Sequence, residues 1–219
     1  MHYPRHLIAA FAVCVFLFCA GCTQGTNSPA SGSPASSGGV TDITRLTLNQ
    51  VDIPPNFTLV EETVRNPGDV GSLAKNLGWE TGYNVRYATP ALDKRGPTEI
   101  TQSIAVYPEK SIPTILSLSD RQDRSDTDLT YTDLPVPRLG NNSRGFFGNA
   151  SAQILVKPTN ENPLASGPGS HDVSVVYTRE VAEIIFAKGT FFEVLRMEGP
   201  GINVTVLQGL AEKAFRKLP

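Results

Sequence analysis

Residues 181–197 constrain the fold more than any other stretch of the chain. Two apolar runs, residues 181–187 and 190–197, flank Lys188-Gly189, a tight-turn signal because glycine accepts a positive φ. Ile184, Phe186, Phe191 and Leu195 alternate with Ile185, Phe192 and Val194, so the predicted hairpin is apolar on both faces. A strand of that kind has to be covered on both sides. The hairpin therefore belongs near the middle of a sheet, with other layers packed above and below it.

Shorter alternations supply the other predicted strands. Phe57, Leu59 and Glu61 face one way, and Thr58, Val60 and Glu62 the other. In residues 80–89, Tyr83, Val85 and Tyr87 oppose Asn84 and Arg86; in residues 98–107, Ile100, Ile104 and Val106 share a face on which Gln102 is the misfit. Residues 82–88 and 98–107 are expected to form a hairpin across the polar loop 90–97. Residues 172–178 carry Val173, Val175 and Tyr177 on one side, and weaker strands are expected at 46–51 and 153–157.

Three helices are predicted. Asp69 caps one running through Leu77, with Val70, Leu73 and Leu77 inward and Gly78 as its stop. Ser111 caps a second, with Pro113 tolerated in the first turn and Ile112, Ile115 and Leu116 on one face. Asn203 caps a third that runs to about Leu218, with Leu207, Leu210, Ala211, Ala214, Phe215 and Leu218 at helical spacing. The order of elements implies an α+β fold, an antiparallel β-sheet with helices packed on its faces.

The front of the chain is of a different kind. Arg5 precedes an almost wholly apolar run, residues 7–20, and then Ala20-Gly21-Cys22. That is the layout of a secretory signal, and the run falls short of the roughly 20 apolar residues that a spanning helix needs. Ala20, Gly21 and Cys22 resemble the prokaryotic lipoprotein signal, with Cys19 standing where that family has an aliphatic residue. The resemblance implies that Cys22 takes a diacylglyceryl thioether and becomes the mature N-terminus. Two acyl chains hold a protein on a membrane where one is marginal. Residues 1–21 are then the signal peptide, residues 22–41 the lipidated Cys and a Ser/Gly/Pro linker, and residues 42–219 a single α+β domain. The linker spans on the order of 20–25 Å. Cys14 and Cys19 leave with the signal, so the mature domain is expected to hold no disulfide, thiol nucleophile or cysteine-ligated metal.

The chain has 19 basic and 21 acidic side chains. Loss of Arg5 leaves 18 against 21, a formal net charge of −3. This argues against nucleic acid and against a polybasic membrane patch. The runs Phe57-Thr58-Leu59-Val60-Glu61-Glu62, Gly78-Trp79-Glu80-Thr81-Gly82-Tyr83, Ile104-Ala105-Val106-Tyr107-Pro108 and Phe186-Ala187-Lys188-Gly189 resemble those of uncharacterised exported lipoproteins of prokaryotes, archaeal ones among them. They are also loosely similar to the PsbP-like α/β/α sandwich. That resemblance implies a non-enzymatic assembly or binding module and transfers no functional residue.

The candidate chemistry is thin. Ser170-His171-Asp172 holds the three residue types of a hydrolase triad, but successive side chains diverge, whereas a triad needs the imidazole between the other two. The tripeptide reads as the start of a polar strand. Asp120, Asp123, Asp126, Asp128 and Asp133 lack EF-hand spacing and are interleaved with Arg121 and Arg124, so they read as a solvated helix end and loop. Glu61-Glu62 would point to opposite faces of a strand and read as edge charges. Trp79, Tyr83 and Tyr87 read as core more readily than as a ligand groove, and Phe146-Phe147 as a loop anchor. Asn56, Asn141, Asn149 and Asn203 each begin an Asn-x-Ser/Thr sequon, a glycosylation acceptor in an exported chain.

No catalytic, metal or cofactor residue is assigned. The expected function is that of a lipid-anchored extracytoplasmic accessory protein, membrane-bound through Cys22, which binds or scaffolds a protein partner without catalysis. Two alternatives stand beside it: a small-molecule or lipid-binding lipoprotein with a pocket between sheet and terminal helix, and an extracytoplasmic hydrolase.

Overall fold

Backbone groups of a chain this rich in alternating β-branched and aromatic residues are best satisfied by ladder pairing, and a single seven-stranded antiparallel sheet results. In chain order the elements are β1 (Thr58–Arg65), α1 (Ser72–Asn76), β2 (Thr81–Ala88), β3 (Glu99–Val106), α2 (Ile112–Asp123), β4 (Thr130–Asp133), β5 (Arg144–Val156), β6 (Val173–Lys188), β7 (Phe191–Glu198) and α3 (Val204–Lys217). The computed structural model describes residues 42–91, 96–140, 142–156 and 173–219. The strand order is β1-β2-β3-β7-β6-β5-β4.

The doubly apolar hairpin sits where its pattern requires. β7 is the central strand and β6 its neighbour. Lys188 pairs with Phe191 across a two-residue turn, Gly189-Thr190, and Gly189 takes φ 57°. The turn is one residue later than Lys188-Gly189 because Lys188 still belongs to the ladder.

Successive residues of β6 enter different cores. Ala182, Ile184 and Phe186 join Leu195 and Met197 of β7 and Leu207, Leu210, Ala211 and Ala214 of α3. Ile185 and Ala187 face the other way, into a cluster with Val70 and Ala74 at α1 and Ile112, Ile115 and Leu116 of α2. The sheet is thus covered by α3 on one face and by α1 and α2 on the other. Asn203 caps α3 through its side chain, which accepts from the Val206 N–H at 3.1 Å.

Several sequence expectations give way. Residues 46–51 form no strand. A 3₁₀ turn (Ile43–Leu46) leads into an irregular strap, residues 42–57, that crosses the α3 face of the sheet. The predicted strand 172–178 and the first arm of the hairpin are one continuous strand of 16 residues, β6. The weak strand at 153–157 is the tail of β5, a strand of 13 residues that begins at Arg144. Gly145 and Gly148 hide its start: a Cβ at Gly145 would lie 2.4 Å from Val136, and one at Gly148 2.9 Å from the Tyr131 ring. Helix α1 begins at Ser72, after a separate 3₁₀ turn at Pro67–Asp69, and its Leu73 is exposed, with Ala74 buried instead. Ser111 has helical dihedrals and makes no side-chain cap, because a 3₁₀ turn (Glu109–Ser111) already feeds into α2.

Candidate binding cleft

Buried polar side chains mark both faces of the sheet. On the α3 face, Gln102 and Glu193 lie side by side on β3 and β7, each almost wholly buried. The Gln102 amide donates to Glu193, and its Oε1 accepts the Leu48 N–H at 2.7 Å. The Tyr87 hydroxyl donates to the Leu48 carbonyl at 2.9 Å. Sheet side chains thus serve both backbone groups of Leu48, in place of the ladder partners a strand would supply. Helix α3 grips the strap from above: Lys217 Nζ donates to the Thr47 carbonyl at 2.9 Å and pairs with Asp52 at 2.6 Å, and Lys213 Nζ donates to the Asp52 carbonyl at 2.9 Å. Burial pushes the Glu193 carboxyl up to about 8, against the opposing pull of Gln102 and Lys217. It is therefore held as the neutral acid at pH 7. Its Oε2 has no hydrogen-bond partner.

On the opposite face cations and carboxylates pair, with Glu183, Arg196 and Asp123 buried and Arg179, Glu198 and Asp126 half-buried. Arg196 meets Glu183 at 3.5 Å and Glu198 at 2.8 Å; Arg179 meets Glu198 at 3.0 Å and Asp126 at 2.6 Å. Burial works to raise Glu198, but Arg196 and Arg179 outweigh it and hold the carboxyl below its ordinary value. Asp126 is likewise lowered: burial is outweighed by the Asp128 N–H and by Arg179. Asp123 is raised by burial, against hydrogen bonds with Glu183 and Ser119.

The acidic stretch is therefore structural in a way its composition conceals. Asp120 is bonded by Arg124 and Arg144, each at 3.1 Å, Asp133 by Arg124 at 2.6 Å, and Asp126 by Arg179. The sequence reading of a solvated helix end fails at Asp123, which is buried as the last residue of α2. Among the described residues, no cluster of three or more His, Cys, Asp or Glu is arranged to hold a metal ion.

The aromatic candidates are core. Tyr83 and Tyr87 are 6% and 2% exposed, so they line no groove. Trp79 packs at the edge of the α2-side cluster. Phe146 is not in a loop: it lies buried in β5, edge-on to Tyr131 at 5.4 Å and beneath the Arg124 guanidinium at 5.2 Å. Glu61 pairs with Arg86 at 3.0 Å on the edge strand β1, and Glu62 reaches Tyr83.

An open concavity lies elsewhere, at the end of the sheet where β2 stops, β3 starts and β7 hands over to α3. This cleft of about 710 Å³ has the strap residues Pro54, Pro55, Asn56 and Phe57, with Thr58 at the start of β1, as one wall. Met197, Pro200, Gly201, Asn203 and Val206 form the other, with Thr89, Pro90 and Thr98 between them. The corner is fixed by Gly199, at φ 120°, where a Cβ would meet the Pro97 carbonyl, and by a hydrogen bond from the Thr98 hydroxyl to the Pro200 carbonyl. Two sequon asparagines, Asn56 and Asn203, stand exposed at this cleft. Asn203 can cap α3 and still be glycosylated, since the cap uses Oδ1 and the glycan bond forms at the amide nitrogen. Asn149 is exposed on β5, between Thr130 and Glu180. Cys22, Asn141 and Ser170-His171-Asp172 lie outside the described residues.

Comparison with known proteins adds little. No family model matches the chain, and no curated protein does. Among solved structures it is similar to the extracellular domain of PknH from Mycobacterium tuberculosis, with 9% identity over 79% of this chain and 94% of that one, at a TM-score of 0.48. Among the described residues, no helix is long and apolar enough to cross a membrane.

Proposed function

We propose that the chain is a lipid-anchored extracytoplasmic accessory protein, held at the membrane through Cys22, whose folded part binds a partner or ligand without catalysing a reaction. The sequence at residues 1–22 supports the address, and so does the resemblance to prokaryotic exported lipoproteins with a PsbP-like domain. The observation that carries the binding role is the cleft. Concavities of about 300–1,000 Å³ with apolar walls and a few polar groups are the usual form of a ligand site. The buried ionisable groups described above are committed to holding helices and strap on the sheet, which leaves recognition to the loops at this end.

Two measurements test the reading. Intact-mass analysis of the protein isolated from its native membrane is expected to give a mature N-terminus at Cys22 carrying acyl chains. Affinity capture of that lipidated protein from the same membrane is expected to return a reproducible protein or small-molecule companion. An unmodified Cys22 sinks the anchor, and turnover of a substrate by the purified protein sinks the non-catalytic role.

A further inference from the structure

We propose that the cleft takes an uncharged amphiphile, an acyl chain with a hydroxylated or ester head such as a monoacylglycerol. This rests on the binding reading above and specifies its ligand.

The walls set the chemistry. Pro54, Phe57, Pro90, Met197, Pro200 and Val206 make an apolar channel. Four of the lining residues, counting Pro55, are prolines with fixed φ, so the site is formed before anything enters it and little ordering cost falls on binding. Among the described residues, none that lines the cleft is ionisable. A carboxylate, phosphate or ammonium group would lose its hydration against these walls with no counter-charge from them in return. A neutral apolar body is what such walls stabilise, at roughly 25 cal/mol per Å² of apolar surface removed from water.

The polar groups set the head. Most hydroxyls are already committed. Thr98 donates to the Pro200 carbonyl, Thr89 Oγ1 accepts the Thr98 N–H at 3.0 Å, and Thr58 donates to the Ala88 carbonyl at 3.4 Å. The Asn203 Oδ1 is held by the Val206 N–H. Among the described lining side chains, the Thr89 hydroxyl, which so far only accepts, and the amide nitrogens of Asn56 and Asn203 on unglycosylated chains are the donors left to meet a ligand oxygen. An ester carbonyl or hydroxyl answers them without bringing charge.

The strap gives the site its second property. One wall is the end of the strap, and the strap is pinned at Leu48 by Gln102 and Tyr87, and at Thr47 and Asp52 by α3. The other wall is the start of α3 itself. A ligand between them bridges two elements that already hold each other further along.

The test uses the full chain in its native membrane and a monoacylglycerol bearing a photoreactive diazirine in its acyl chain. After irradiation, labelled peptides are expected to map to residues 54–58 and 197–206. The fatty acid of the same chain, which differs by its carboxylate, is expected to label them about tenfold less, the factor that corresponds to ~1.4 kcal/mol. Val206→Trp fills the cleft from the α3 wall and Asn56→Trp from the strap wall, and either is expected to reduce labelling about tenfold while labelling of the linker is unchanged. The second variant keeps the test decisive where the first disturbs α3. Labelling spread evenly over the domain, equal labelling by the fatty acid, or labelling unchanged in both variants overturns the proposal. A protein companion captured from the membrane alongside an unlabelled cleft would overturn this ligand and leave the binding role standing.

Discussion

Two glutamates on adjacent central strands, Glu183 and Glu193, show how differently the two faces of one sheet are built. Both are almost fully buried. Glu183 lies beneath α2 and meets a guanidinium; Glu193 lies beneath the strap and meets an amide. With Arg196 and Arg179 at hand, the α2 face is held together by opposite charges. The α3 face has an acid kept neutral by burial, and it uses that acid and Gln102 to hold a piece of backbone. A carboxyl group in a core is thus no single motif; its neighbours decide whether it acts as a charge or as a hydrogen-bonding group.

Removing the cation from the charged side should have the largest effect. Arg196→Met takes the guanidinium from the buried Glu183 and leaves Glu198 with Arg179 alone. Breaking a buried pair from one side costs about 3–5 kcal/mol, to be read from urea unfolding at pH 7. A loss below about 1 kcal/mol would show that the two faces are not built differently.

The pH profile sharpens the comparison further. Glu193 is raised to about 8, so its folded state holds a proton that the unfolded chain gives up near the ordinary value of 4.5. Its contribution is full below that ordinary value and is lost as pH rises through about 8. The slope approaches ~1.4 kcal/mol per pH unit. Glu198 and Asp126 are lowered, so their contribution is present at neutral pH and is lost as pH falls through their folded values. Asp52, lowered by Lys217 and the Asn49 N–H against its burial, adds to that acid limb from the strap side. Glu193→Gln should abolish the decline between pH 5 and 8 and leave the variant more stable than wild type at pH 8, by on the order of 3 kcal/mol. The acid limb should not change. Unfolding midpoints across that range decide it, and a wild-type curve flat up to pH 8 would refute the neutral acid.

The smallest of the three effects is local. Gln102→Leu keeps the size of the side chain but takes the acceptor from Leu48, leaving a buried N–H unpaired at about 1–3 kcal/mol. Hydrogen exchange should quicken at residues 47–52 while amides of β6 and β7 keep their protection. Equal loosening throughout would mean that the staple holds the whole core and not the strap alone.

Gln102 is also where the sequence spoke most clearly without being understood. It broke an otherwise apolar face, and that break marks the place where the strap is held. The central hairpin and α3 were legible because burial on both faces, or on one helical stripe, writes a period into the residues. Residues 46–51 looked like a weak strand because they are indeed buried at Leu46 and Leu48, but their hydrogen bonds go to side chains, which leaves no periodic trace. β5 was missed at its start because packing against Val136 and Tyr131 demanded glycine where the pattern needed a side chain. The cleft was legible only in part. A pocket between the sheet and the terminal helix stood as one alternative, but the aromatic side chains weighed for a groove, Trp79, Tyr83 and Tyr87, do not line this cleft. Prolines, threonines and asparagines make up most of the described lining, drawn from four separated segments, and such residue types read as loop wherever they occur.

The strap enters the domain at residue 42 and reaches β1 only at Thr58. Tension on the chain ahead of it is therefore met first by the strap, through the buried side chains of Ile43, Leu46 and Leu48 and the polar contacts of Thr47, Leu48 and Asp52, and only then by an edge strand. Given the anchor proposed above, a pull on it would load the strap like a fuse, sparing the sheet and moving one wall of the cleft.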